Sequence, residues 1–138
     1  VMVDLARVME GVDDPLDRLR VFIRFHVTYH IVRKREVFIG YSELRSLTPE
    51  QHATIVAKRR AYEDQLVAIL EQARARGQIV DVDIRVAGYG ILAMLTGVCT
   101  WFQPDGRLSG DAVIATYTDM ILGGLLPRAD GQDQSGAG

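Results

Sequence analysis

The run Val21-Phe-Ile-Arg-Phe-His-Val-Thr-Tyr-His-Ile-Val32 decides how this chain must fold. Read as a helix, it sets Leu19, Phe22, Phe25, His26, Tyr29 and Arg33 along one face, and the adjoining flank of Ile23, Val27 and His30 is also mostly apolar. The one polar stripe is Arg20, Arg24, Thr28 and Arg35. A helix that is apolar over most of its circumference must be surrounded by other elements, so this run is expected at the centre of a helical domain. Its start is written just upstream. Asp14 can cap, Pro15 fits the first helical position, and Asp17 sits in the first turn, where the helix dipole favours an anion. Arg33-Lys34-Arg35 closes it with cations near the negative end. Two histidines and a tyrosine among the phenylalanines are an unusual core lining, because buried polar tips need partners. Either the protein supplies those partners or a bound molecule does.

On the N-terminal side, Met2, Leu5, Val8 and Met9 recur at helical spacing up to Gly11, and Val12-Asp-Asp-Pro15 is the turn into the central helix. On the C-terminal side, Val37, Phe38, Tyr41, Leu44 and Leu47 predict a short helix within Glu36–Leu47, interrupted near Gly40. Leu47-Thr-Pro-Glu-Gln51 is the sharpest local signal in the chain. Thr48 is an N-cap, Pro49 takes the first helical position and Gln51 can complete a capping box. The helix it opens carries Ile55, Tyr62, Leu66, Ile69, Leu70 and Ala73 on one face and stops at Gly77. Asp81 or Asp83 caps the next, which runs uncharged from Val86 to Pro104. That length reaches the threshold for a membrane span, but Tyr89, Thr96, Thr100, Gln103 and several glycines argue for burial within protein, and no membrane is expected. Ile84, Ile91, Leu95, Val98 and Phe102 form a bulky stripe suited to the core, while Gly90, Ala93, Gly97 and Thr100 form a small-residue stripe that another backbone could approach. After the turn Gln103-Pro-Asp-Gly106, Ser109 and Asp111 start a last helix bearing Val113, Tyr117, Met120, Ile121 and Leu125. No strand pattern or internal repeat occurs. The expected fold is all-α, with five to six helices.

The 138 residues suffice for one domain, and a net charge of -2 supplies no basic field for binding nucleic acid by this chain alone. The single cysteine, Cys99, excludes an internal disulfide and fits a reducing cytoplasm. His26 and His30 have a spacing that can share a metal ion, yet a site needs a third ligand and no partnered His-Glu motif accompanies them. Cys99 lies in an apolar helix, where a thiol loses reactivity, and Ser42, Ser46 and Ser109 sit at turns or caps without a nucleophile-elbow context. An enzyme, a metal and a cofactor are therefore not expected. Phe22, Phe25, Tyr29, Tyr62 and Trp101 read either as plain core or as the wall of a cavity, and Arg33-Lys34-Arg35 and Lys58-Arg59-Arg60 either as solvated faces or as a rim that attracts an anionic group.

The stretch Tyr41-Ser-Glu-Leu-Arg-Ser-Leu-Thr-Pro-Glu50, with Ile55-Val56 and Arg60-Ala-Tyr-Glu63, resembles the ligand-binding domain of TetR-family transcriptional regulators. Ala87-Gly-Tyr-Gly-Ile-Leu-Ala-Met-Leu95, Trp101-Phe-Gln-Pro-Asp-Gly106 and Leu108-Ser109 are similar to that family's penultimate helix and the turn into its last one. The likeness spans roughly residues 1–126 and is greatest to regulators of lipid and sterol breakdown that respond to acyl-CoA thioesters. It implies a homodimer held by a four-helix bundle, with Gly90, Ala93, Gly97, Thr100, Val113, Tyr117, Met120 and Ile121 at the interface. It also implies an apolar effector, an acyl-CoA being the first expectation, in a cavity lined by Phe22, Phe25, His26, Tyr29, Arg45, Tyr62, Leu66, Met94 and Trp101. Family members carry a helix-turn-helix, and this sequence has none. Residues 1–12 are accordingly expected to end a linker helix from a DNA-binding domain, 13–126 to form the effector-binding and dimerisation domain, and 127–138 to be a disordered tail. Operator DNA would be contacted only through that other domain. The rival expectation is a helical interaction module with a filled core and no effector. On the first reading, His26→Ala weakens the effector response while leaving the dimer intact, which ligand titration and light scattering on the same sample would check.

Overall fold

The computed structural model describes residues 1–33 and 46–128. The short helix expected between Glu36 and Leu47 lies outside the described residues except for its last two positions, as do Arg45 and the tail from residue 129 onward. Among the described residues the regular structure is entirely helical.

Side-chain caps fix where four of the described helices begin. Helix α1 (Met2–Met9) ends ahead of Gly11, whose φ of 75° is a left-handed conformation that glycine adopts without steric cost. Helix α2 (Pro15–Val32) starts at Asp14, whose carboxylate accepts from the Asp17 N–H at 3.1 Å. Helix α3 (Pro49–Ala75) has the full capping box: the Thr48 hydroxyl accepts from the Gln51 N–H at 3.1 Å, and the Gln51 side chain accepts from the Thr48 N–H at 3.0 Å. Helix α4 (Ile84–Thr96) is capped by Asp83. The uncharged stretch expected as one helix divides at Gly97 into α4 and the short α5 (Val98–Trp101). There the Thr100 N–H and hydroxyl both donate to the Gly97 carbonyl, at 3.0 and 2.7 Å, which tightens the turn. Helix α6 (Gly110–Leu125) is capped by Ser109.

Helix α2 packs against every other described helix, as its all-round apolar surface requires. Leu19, Phe22, Ile23 and Val27 are completely buried in it. The bulky stripe of α4 and α5 goes where it is expected: Ile84, Ile91, Leu95, Val98 and Phe102 are all buried. The stretch Ile84–Trp101 is long and apolar enough to cross a membrane, yet these large side chains are core residues here. Gly88 and Gly110 each admit a neighbouring helix, since a Cβ would stand 3.5 Å from the Val67 side chain of α3 at the first and 3.4 Å from the Ile31 side chain of α2 at the second. Helix α3 is buried unevenly. Leu66, Val67, Ile69, Leu70 and Ala73 are in the core, whereas residues from Pro49 to Ala61 are exposed apart from half-buried Ile55. Ion pairs clip the periphery, Arg85 of α4 to Glu63 and Asp64 of α3 at 3.0 and 3.3 Å, and Arg24 of α2 to Asp111 of α6 at 3.0 Å. These are solvent-accessible and add little stability each.

The burial pattern separates two positions only nine residues apart on α4. Leu95→Ala, at a fully buried site, should cost about 2–5 kcal/mol, while Val86→Ala, at a site 63% exposed, should stay within about 0.5 kcal/mol. Urea unfolding of the two variants measures both; equal costs would contradict the inward stripe.

Candidate functional site

At the junction of α2, α3 and α4 the core contains a polar node. His26 is 4% exposed and is the one buried polar or charged residue among those described. Both of its ring nitrogens have hydroxyl partners: Nδ1 lies 2.7 Å from the Tyr62 hydroxyl of α3, and Nε2 lies 2.9 Å from the Thr96 hydroxyl of α4. A neutral imidazole has one N–H and one lone pair, and a hydroxyl can answer either. Whichever nitrogen carries the proton, the ring is satisfied. Phe22 stacks one helical turn below it with centroids 5.9 Å apart, and His30 stacks one turn above at 4.0 Å. The His30 Nδ1 is 2.8 Å from the His26 carbonyl, which can only accept, so that nitrogen carries a proton.

The node is electrically neutral by construction. Burial, and then the neighbouring His30, lower the His26 pKa from 6.5 to about 3. Burial also lowers that of His30, opposed by its bond to the His26 carbonyl. Burial raises the Tyr62 phenol above its ordinary value, with Tyr29 adding to the effect. Near neutral pH the node therefore offers hydrogen-bonding groups without charge, suited to a carbonyl, hydroxyl or amide and unsuited to a bare ion.

The candidate cavity residues divide into separate places. Phe22, His26 and Tyr62 come together at the node, with Phe22 wholly buried, and Leu66 is wholly buried in the core. Phe25 and Tyr29 face outward instead, into a groove of about 520 Å³ between α1 and α2 whose apolar wall includes Val8, Val21 and Val32. Arg24 and Arg33 flank this groove, and the Arg33 guanidinium lies over the Tyr29 ring at 4.9 Å. Met94 is half-buried against the core. Trp101 is exposed and meets Tyr117 edge-on at 6.4 Å, on the α5–α6 surface and away from the node. Lys58, Arg59 and Arg60 are exposed. Thr96, the third member of the node, was missed by sequence reasoning; its one signal is a hydroxyl beside the bulky stripe of an otherwise apolar helix.

The expected interface residues also divide. Gly90, Ala93 and Thr100 are exposed, Met120 is 55% exposed, and Gly97 and Tyr117 are half-buried. Val113 and Ile121 are buried in the core of the chain itself, where α6 packs on α2. Helix α6 is apolar on more than one face, and its period alone does not say which face turns inward.

A sequence model of the family described as Tetracyclin repressor-like, C-terminal domain, matches residues 12–125. The fold is similar to that of PfmR, a TetR family transcriptional regulator from Thermus thermophilus, with 32% identity over 91% of this chain and 68% of that one and a TM-score of 0.79. It is similar to AibR, solved in complex with isovaleryl coenzyme A and operator DNA, at 33% identity over 84% of this chain and 63% of that one, with a TM-score of 0.74. The ketosteroid transcriptional regulator KstR2 of Mycobacterium tuberculosis shares the fold at a TM-score of 0.84, covering 92% of this chain and 66% of that one, with 19% identity. This chain thus spans about two thirds of each of these relatives. A comparison with curated proteins gives no match.

The buried imidazole makes stability depend on pH with a definite sign. The unfolded chain protonates His26 near 6.5, whereas the folded chain resists until about 3. Between those values the unfolded state holds the extra proton, so stability falls as pH drops and the loss is complete near the lower value. From pH 7 to pH 5 this group should remove about 2 kcal/mol, with His30 pulling the same way. Urea unfolding at three pH values would measure the slope, and His26→Gln should flatten it; an unaltered slope in that variant would place the titration elsewhere.

Proposed function

Because the chain belongs to the TetR family of transcriptional regulators, as one of its C-terminal domains, we propose that it senses a small apolar effector and joins two subunits of a repressor. Proteins of this family regulate transcription and are not enzymes. The observation that carries the sensing reading is the His26–Tyr62–Thr96 node. Three helices are tied there through hydrogen bonds rather than through apolar contacts alone, and both hydroxyls can exchange their imidazole partner for a polar group on a ligand. An effector that engages Tyr62 or Thr96 loosens α2 from α3 or α4, and α2 is the helix on which the others pack.

The effector class we infer is an acyl thioester. Its carbonyl suits the neutral node. A phosphorylated carrier suits the arginines that flank the neighbouring groove, Arg33 above all, since Arg24 is already paired with Asp111. AibR, at 33% identity, has been solved with isovaleryl coenzyme A, which supports the same class. The mechanism is a population shift. The effector binds the arrangement that cannot hold DNA more tightly, and a difference of roughly 3 kcal/mol gives about hundredfold release. Operator contact belongs to a helix-turn-helix domain, with α1 as the end of the helix linking the two. The exposed small residues Gly90, Ala93 and Thr100, with Met120 on α6, form the surface proposed for the partner subunit.

The filled-core alternative draws on one specific observation, that the protein itself satisfies both nitrogens of His26. Thermal unfolding with isovaleryl coenzyme A and with free coenzyme A separates the two readings. A sensor should gain about 2.7 kcal/mol at a hundredfold excess over Kd, by mass action, and much less from the carrier alone. Tyr62→Phe should shrink the gain. No shift with the thioester, or an equal shift with coenzyme A alone, would favour the interaction module.

A further inference from the structure

Helix α2 carries a second imidazole whose hydrogen bonding is only half complete. The Nδ1–H of His30 donates to the His26 carbonyl at 2.8 Å, which leaves Nε2 of the neutral ring with a lone pair and no proton. Burial favours that neutral form. No described residue bonds to Nε2, and it is not sealed: the sealed side-chain atoms without a partner are Arg18 Nε and Gln78 Oε1. His30 is half-buried, so its tautomer is fixed from within while its acceptor stays open to a donor from outside the chain. His26 differs, since hydroxyls of the protein answer both of its nitrogens.

The place of His30 gives that lone pair a use. Its ring stacks on His26 at 4.0 Å and meets Tyr29 edge-on at 5.7 Å. Tyr29 in turn lines the α1–α2 groove and lies under the Arg33 guanidinium at 4.9 Å. His30 therefore stands between the node and the groove. Along α2 the order is a node with hydroxyl donors, then a lone acceptor, then a cation. A thioester on a coenzyme A arm has the complementary order: a carbonyl, an amide N–H just beyond the sulfur, and phosphates at the far end. His26 and His30 are one helical turn apart, about 6 Å along the axis, and an extended arm separates its carbonyl from that N–H by a similar length.

We propose that His30 selects the effector by accepting a hydrogen bond from the amide N–H nearest the thioester. This rests on the thioester reading above and deepens it: the domain reads the carrier arm as well as the acyl group. An ester without a donor at that position covers Nε2 and leaves it unanswered, which costs more than a hydrogen bond to water returns. A site built to pair a ligand N–H rejects the analogue that lacks it. The discrimination is therefore against acyl groups on any arm that carries no donor there.

Calorimetric titration of the full chain with three probes tests this: isovaleryl coenzyme A, S-isovaleryl-N-acetylcysteamine, and the same short thioester methylated on the amide nitrogen. The last differs from the second only in lacking the donor. The N–H probe should bind below about 5 mM and about tenfold more tightly than its N-methyl counterpart. His30→Phe, which keeps a ring on His26 and removes the lone pair, should weaken the N–H probe about tenfold and leave the N-methyl probe unchanged. Equal affinity for the two short probes in the unmodified chain would overturn the proposal with the thioester reading intact, and that comparison needs no variant to fold. Discrimination that survives in His30→Phe would overturn it too, since another group would then be reading the donor. So would binding of isovaleryl coenzyme A with neither short probe, because the affinity would lie in the nucleotide. Failure of all three to bind would instead remove the thioester reading, and this proposal with it.

Discussion

Everything in this domain depends on how an imidazole is kept in a core. Helix α2 packs against each of the other described helices, so a polar group buried on it must find a hydrogen-bond partner within the protein. At His26 that demand falls on two helices at once, Tyr62 on α3 and Thr96 on α4. Apolar packing tolerates small slides and rotations, because dispersion forces have little direction. Two hydrogen bonds at 2.7 and 2.9 Å from one rigid ring do not. The node therefore fixes the register of three helices that Phe22, Leu66 and Leu95 would otherwise hold together only by volume.

Much of the fold was legible because its signals are local. Asp14-Pro15, Thr48-Pro49 with Gln51, Asp83 and Ser109 each cap a helix within the residues that display them, so no tertiary information is needed. The inward stripe of α4 and α5 was legible for a similar reason: five bulky residues at one spacing leave a single sensible face. Pairings across helices were harder. Nothing near Thr96 marks it as the answer to a histidine 70 residues away. Likewise, small residues announce a close approach without naming the partner. Gly88 serves α3 of the same chain, while Gly90 has open space where its Cβ would be.

The aromatic residues show the same limit. Phe22 and Phe25 are three apart on α2 and share a face by periodicity, yet one is wholly buried at the node and the other faces the groove. A helix that packs against five others has no single inner face, so its pattern cannot say which aromatic lines which space. Trp101 adds a second case. Its place in the sequence allowed either plain core or a cavity wall, and after the tightened turn at Gly97 it lies exposed, edge-on to Tyr117.

The uneven burial of α3 has a mechanical consequence. Its second half is clamped in the core, the node grips it at Tyr62, and the half before that projects with little packing. The helix is thus a lever with its fulcrum near the polar node. From Tyr62 to its capped start is about 20 Å at 1.5 Å per residue, so a tilt of about 5° at the fulcrum displaces Thr48 by about 2 Å. A rearrangement too small to disturb the core becomes a movement of atomic dimensions at the far end, and the capping box at Thr48 keeps that end rigid enough to transmit it.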